Sequence, residues 1–180
     1  LDLLVNNAGG SPAADAATAS PRFSEAIIAL NLLAPIHLSQ AAHTVMAKQE
    51  EGGAIVNIAS VAGRRPAPST AVYGAAKAGL LSLTTSLAQE WGPKVRVNAI
   101  IVGLIETENA ELTYGSLAAQ RAIAEATPMK RLGRGADVAD AVLFLASPLA
   151  GFVSGAALEV HGGGEQPHFL DLVKRYGDKA

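Results

Sequence analysis

Ala54-Ile55-Val56-Asn57-Ile58-Ala59-Ser60, a loop marked by Pro66 and Pro68, an Ala- and Leu-rich run over residues 72–91 halted by Gly92-Pro93, and then Val95-Arg96-Val97-Asn98-Ala99-Ile100-Ile101: these residues decide the fold. The two apolar, β-branched runs are short enough for strands and too apolar to have a solvated face. The stretch between them is long enough for a full helix, and Gly-Pro is a stop signal. Strands joined through a long helix run parallel, because a parallel pair needs a crossover connection. Outward from this unit the same alternation continues. Upstream, Leu3–Asn6 reads as a first strand closed by Asn7-Ala8-Gly9-Gly10. Residues 12–20 read as loop with a turn of helix, and Ser20-Pro21 as an N-cap followed by proline at the first helical position. Apolar residues then recur at helical spacing from Phe23 through Ile27 and Leu30 to about Lys48, with Pro35 expected to kink or divide the helix near Asn31. Gly52-Gly53 ends that stretch.

Downstream, residues 103–129 mix polar and apolar positions around Pro128 and read as an irregular, partly mobile flap. A helix is expected from Ala136-Asp137 to Ala146, ended by Ser147-Pro148, then a last strand over Ala157–Val160 running into Gly162-Gly163-Gly164. With no repeat or linker visible, residues 1–164 read as one partial domain and 165–180 as a tail that wraps a partner subunit or stays loosely held.

The chain has 180 residues, 49% of them apolar and 17% charged, with 14 basic against 16 acidic side chains and a formal net charge of −2. Those values fit a globular domain with a real core and give no reason to expect nucleic acid or an anionic membrane as partner. Absence of cysteine excludes disulfides and thiolate metal sites and fits a reducing compartment. Apolar stretches are read as too short for a membrane span, and a cytoplasmic location is expected. The chain opens directly on a buried strand, which needs neighbours on both sides, so an amino-terminal part of the domain is expected beyond it.

Tyr73 and Lys77 lie four residues apart, hence one turn apart on the same helical face. A nearby ammonium favours phenolate and can lower a phenol's pKa, and Ser60, at the end of the preceding strand, could complete a proton-transfer site. Taken singly, these signals have plain structural readings. Tyr73 and Lys77 suit an exposed helical pair, Asn6-Asn7-Ala8-Gly9 a strand-to-loop turn, and Ser60 a cap. Asn31 in an apolar helix needs partners, structural or functional. His37, His43, His161 and His168 show no metal-ligand spacing, and Arg64-Arg65 reads as a solvated pair. Trp91 and Phe144 read as core or interface residues.

Jointly, Asn6-Asn7-Ala8-Gly9, Asn31, Asn57-Ile58-Ala59-Ser60, Tyr73-x-x-x-Lys77 and the stretch from Asn98 to Thr107 resemble the short-chain dehydrogenase/reductase family in order and spacing. Arg131-Leu132-Gly133, Phe144-Leu145-Ala146-Ser147, Ser154-Gly155 and Val160-His161-Gly162-Gly163 extend the likeness over essentially the whole chain. It is nearest to the 3-oxoacyl-carrier-protein reductase-like and broad alcohol/ketone reductase members.

The resemblance implies an α/β fold: the carboxy-terminal part of a Rossmann-type doubly wound parallel sheet, with the first three strands absent. It implies an NAD(P)-dependent oxidoreductase interconverting a ketone or aldehyde and an alcohol by hydride transfer, acting on a small molecule and assembling as a homodimer or homotetramer through its two long helices. Tyr73 would be the general acid/base. Lys77 would lower the tyrosine's pKa and bind the nicotinamide ribose. Ser60 would orient the substrate oxygen, and Asn31 would hold a water linking Lys77 to solvent. Asn7, Ala8 and Gly9 would line the ribose, while Ile105 and Thr107 would lie against the nicotinamide and its carboxamide.

Two departures stand out. Val102-Gly103 replaces the family's Pro-Gly. The glycine-rich turn that seats a pyrophosphate, and the residue that chooses NAD or NADP, have no counterpart in the sequence. A truncated or catalytically silent member serving as a binding or scaffold subunit is the alternative reading.

Overall fold

A computed structural model describes residues 1–177; the end of the tail, residues 178–180, lies outside the described residues. The described chain divides into two compact units, one of residues 1–102 and 136–160, the other of 103–135 and the carboxy-terminal segment from His161.

The first unit is built on four parallel strands in the order β1 (Leu3–Asn6), β2 (Gly53–Ser60), β3 (Val95–Val102) and β4 (Ala157–Val160). Register runs Leu3 to Ala54, Ala54 to Arg96, and Ala99 to Ala157. Successive strand residues point to opposite faces, and each face has its own helices. On one face Leu4, Ile55, Val95 and Val97 pack with Ala42 and Met46 of α2 (Ala34–Met46) and with Leu83, Leu87 and Trp91 of α3 (Ala71–Trp91). On the other, Leu3, Val56, Ile58 and Ile100 pack with Val138, Ala141 and Leu145 of a helix at Gly135–Ala146. The apolar runs predict the parallel sheet, and its cover on both sides is the doubly wound arrangement that the resemblance implies.

The stretch before β2 starts as α1 (Pro21–Ile28), with Ser20 Oγ accepting from Phe23 N–H and proline at its start, as the sequence indicates. It continues through a π-helical turn at Ala29–Leu33 into α2. Pro35 brings no N–H for the carbonyl of Asn31, and the hydrogen bonding widens to Ala34 N–H on Ala29 O. The expected kink is therefore a change of helical register centred on Asn31.

Pro21–Met46 is 26 residues with a mean hydropathy of 1.2 across its most apolar window, so by length and composition it could cross a membrane. This corrects the expectation that every apolar stretch is too short; alanine and leucine lift the hydropathy while Arg22 and Glu25 sit near one end. One stripe of it, Ile27, Asn31, Pro35, Ser39, Ala42 and Met46, is buried in the unit.

Arg96 serves a role the sequence does not announce. Its guanidinium donates to Leu145 O at 2.7 Å and Ala146 O at 3.2 Å, closing the carbonyl end of the Gly135–Ala146 helix. A cation on the last carbonyls of a helix satisfies orphan acceptors and complements the dipole. Replacing Arg96 with Met is expected to cost about 2 kcal/mol, read as a lower urea midpoint with an unchanged slope.

In the second unit the flap is more regular than expected. It contains α4 (Ala110–Tyr114) and α5 (Leu117–Ala126), the latter capped by Ser116 Oγ on Ala119 N–H. The helix at Gly135–Ala146, counted by its order in the chain, is α6. The tail contributes α7 (His168–Tyr176), whose Phe169, Leu172 and Tyr176 are exposed.

Candidate active site

The carboxyl ends of β1 and β2, the π-helical turn and the start of α3 meet in the first unit. Ser60 is the last residue of β2; its Oγ accepts from Ala62 N–H at 3.2 Å, starting a short 3₁₀ turn at Val61–Gly63. That turn rests on α3 where Gly74 offers no side chain: a Cβ there would stand 2.8 Å from Ala62 O. Close contact of turn and helix places the Tyr73 phenol beside the Ser60 hydroxyl, near enough for Ser60 to favour the phenolate. One helical turn on, Lys77 is buried, its Nζ donating to Ile58 O at 2.7 Å and standing 5.6 Å from the Tyr73 ring centroid.

Asn31, fully buried in the π-helical turn, reaches the loop after β1. Its Oδ1 accepts from Gly10 N–H and its Nδ2 donates to Gly10 O, both at 2.9 Å, with a further bond to Ile27 O at 3.0 Å. This amide clamp fixes the exposed Asn7-Ala8-Gly9 segment. A Cβ on Gly9 would lie 2.7 Å from Asn31 Oδ1 and 3.0 Å from Lys77 Nζ, so Gly9, Asn31 and Lys77 form one contact group. Gly9→Ala is expected to displace one of two pinned polar groups and cost roughly 1–3 kcal/mol, measurable as a lowered thermal midpoint.

The electrostatics depart from expectation at one point. Burial pushes Tyr73 above its ordinary value, with the neighbouring Ser60 hydroxyl opposing it. Lys77 is itself pushed down to about 8, also by burial. The sequence suggests that Lys77 lowers the tyrosine; in this structure loss of solvent outweighs that effect, and the ammonium is turned to a carbonyl.

Thus Asn7, Ala8, Gly9, Asn31, Ser60, Tyr73 and Lys77 belong to the first unit, with Gly9, Asn31 and Lys77 in one group and the Tyr73 phenol beside Ser60. Ile105 and Thr107 belong to the second unit, where Thr107 is exposed.

Beneath the site lies a buried polar chain that the motif reading misses. Thr84 Oγ1 donates to Leu80 O at 2.8 Å, so it accepts from Asn57 Nδ2 at 2.9 Å. That turns Asn57 Oδ1 toward Asn6 Nδ2 at 2.8 Å, which also donates to Ser39 Oγ at 3.0 Å. One end of the chain is left over: Asn6 Oδ1 is buried without a partner. The signal was available. Thr84 follows Lys77 by seven residues and Ser39 follows Asn31 by eight, each on the same helical face.

Comparison with known proteins agrees with this architecture. A family model described as enoyl-(acyl carrier protein) reductase matches residues 1–165. An uncharacterized oxidoreductase of Mycobacterium tuberculosis is 38% identical over 172 residues, covering 96% of this chain; the chain spans 65% of that relative's length. Among solved structures, a 4-hydroxyisoleucine dehydrogenase mutant complexed with NADH and succinate superposes with a TM-score of 0.85 at 32% identity, covering 92% of this chain and 70% of its own. ElxO with NADP bound gives 0.82 at 33% identity, covering 90% and 66%. With a parallel sheet wound on both faces and a family match over nearly the whole sequence, the chain belongs to the short-chain dehydrogenase/reductase family.

Proposed function

We propose that this chain carries the reacting half of an NAD(P)-dependent oxidoreductase that interconverts a small ketone or aldehyde and the corresponding alcohol. The observation that carries the reading is the Tyr73 phenol set beside Ser60, one helical turn from the buried Lys77, whose Nζ stands 5.6 Å from the Tyr73 ring centroid.

The residues present fit the ribose and nicotinamide end of such a cofactor. Lys77 spends one donor on Ile58 O, and an ammonium has three. That suits a ribose diol. The small, exposed Ala8 and Gly9 beside it let a sugar approach the backbone. Similarity to an NADH complex and an NADP complex supports either cofactor. When bound, the reduced nicotinamide supplies a hydride to the carbonyl carbon and leaves oxidised. Tyr73, kept protonated at neutral pH by burial, gives its proton to the carbonyl oxygen, and the alcohol forms. Ser60 hydrogen-bonds that oxygen and holds it beside the phenol. Lys77, with a water held near Asn31, returns a proton to Tyr73 from solvent. In the second unit, Ile105 and Thr107 are assigned to the nicotinamide.

The apolar residues exposed on the Pro21–Met46 stretch, Leu30, Leu33, Leu38 and Val45, support assembly as a homodimer or homotetramer. Burial of the opposite stripe in the first unit favours a cytoplasmic enzyme over a membrane-spanning one.

A fluorescence titration with NADH and NADPH, followed by cofactor consumption over a panel of ketones and aldehydes, tests the reading. Saturable binding with turnover would support the reading; binding of neither cofactor would mean that this chain alone, without a seat for the pyrophosphate, is inactive. Saturable binding without turnover of any carbonyl would instead favour a silent binding subunit.

A further inference from the structure

Ile105 makes a one-residue parallel bridge with Gly133: Glu106 N–H donates to Gly133 O at 2.8 Å and Gly133 N–H donates to Leu104 O at 2.9 Å. Along an extended chain successive backbone groups alternate sides, so the N–H and C=O of Ile105 face away from that bridge. Both meet a single atom. The Tyr114 hydroxyl accepts from Ile105 N–H and donates to Ile105 O, each at 3.1 Å. Tyr114 is the last residue of α4, and Gly115 follows it with φ 78°, so the chain turns sharply just after the ring is placed.

A hydroxyl that is donor and acceptor at once fills both halves of a peptide edge. A primary carboxamide offers the same pair, an oxygen acceptor beside an N–H donor, and it would compete for the same two groups. We infer that Tyr114 is a determinant of cofactor affinity: its phenol holds the Ile105 backbone edge that a nicotinamide carboxamide pairs with, and binding must displace it. This rests on the oxidoreductase reading above, which assigns Ile105 to the nicotinamide. Whatever fraction of molecules has the phenol released sets the apparent affinity, since a ligand that needs a minor state binds more weakly by that fraction.

The test uses reduced nicotinamide mononucleotide, which carries the ribose and carboxamide without the second nucleotide. Tyr114→Phe is expected to bind it roughly 5- to 30-fold tighter than the unmodified chain, the ratio matching one or two ordinary hydrogen bonds. Ribose 5-phosphate, lacking the amide, should bind both proteins alike. Independently of any ligand, the Ile105 amide should exchange its hydrogen faster in Tyr114→Phe. Equal affinity of the two proteins for the mononucleotide overturns the role of Tyr114 and leaves the cofactor reading standing. Saturable binding to neither overturns both. If the variant does not fold, fluorotyrosine labelling of the unmodified chain decides: the Tyr114 fluorine signal should shift at saturation, and an unmoved signal overturns the inference.

Discussion

Tyr73→Phe is expected to lower kcat by about 10²–10⁴-fold, the range associated with losing a positioned acid/base, while the affinity for NADH or NADPH stays unchanged. The argument is geometric before it is chemical. Phenylalanine keeps the ring that packs at the start of α3 and removes only the hydroxyl that meets Ser60. The fold should therefore persist, as judged by an unchanged urea midpoint. Burial raises the Tyr73 pKa, so the phenol is protonated at neutral pH and ready to donate in the reducing direction. For oxidation of an alcohol the phenolate is needed, and the rate should climb with pH throughout the alkaline range. The variant is assayed with whichever carbonyl the unmodified chain consumes. Retained turnover would place the proton source elsewhere, on Ser60 or a water, and would remove Tyr73 from the mechanism.

Much of the architecture was legible because it rests on local pattern. The apolar runs at 54–59 and 95–101 gave strands that the structure extends by one residue at one end or both, and Gly92-Pro93 stops α3 where expected. Ser20-Pro21 caps α1 for reasons contained in two adjacent residues. What the sequence left open depends on contacts between distant segments. The clamp of Asn31 on Gly10 spans 21 residues, the bond from Asn57 to Thr84 spans 27, and the grip of Arg96 on Leu145 spans 49. None has a periodicity to announce it. The flap reads as irregular in sequence because α4 and α5 are short, with most of their side chains exposed, and so lack the long apolar stripe that marks a packed helix. Sequence spacing points the Tyr73 shift the wrong way for a related reason. Spacing reveals that an ammonium is near, but burial, which decides the sign, is a property of the assembled fold.

That burial has a measurable consequence at Lys77. Folding lowers its pKa from an ordinary value near 10.5 to about 8. Between those values the unfolded chain binds a proton that the folded chain does not, so stability rises with pH across the window. Below pH 8 both states hold the proton, and the folded state bears the full cost of a buried charge. Above 10.5 both are neutral and the cost is gone. A shift of this size corresponds to about 3 kcal/mol, of which roughly 2–3 kcal/mol should be recovered between pH 7 and pH 10. Lys77→Met removes the titrating group, so the difference in unfolding free energy between the unmodified chain and the variant should change by that amount over the same interval. Taking the difference cancels titrating groups remote from Lys77, and keeping the work below pH 10 keeps the neighbouring Tyr73 largely protonated in both states. The variant also loses the bond to Ile58 O, which offsets its gain at neutral pH by a constant and leaves the slope untouched. Denaturant unfolding at a series of pH values reads the slope directly. Parallel curves for the two proteins would mean that water reaches Lys77 and that the ammonium is not held as a buried charge. A slope confined to the window would identify Lys77 as a cation maintained at the expense of stability, which a purely structural lysine has no reason to be.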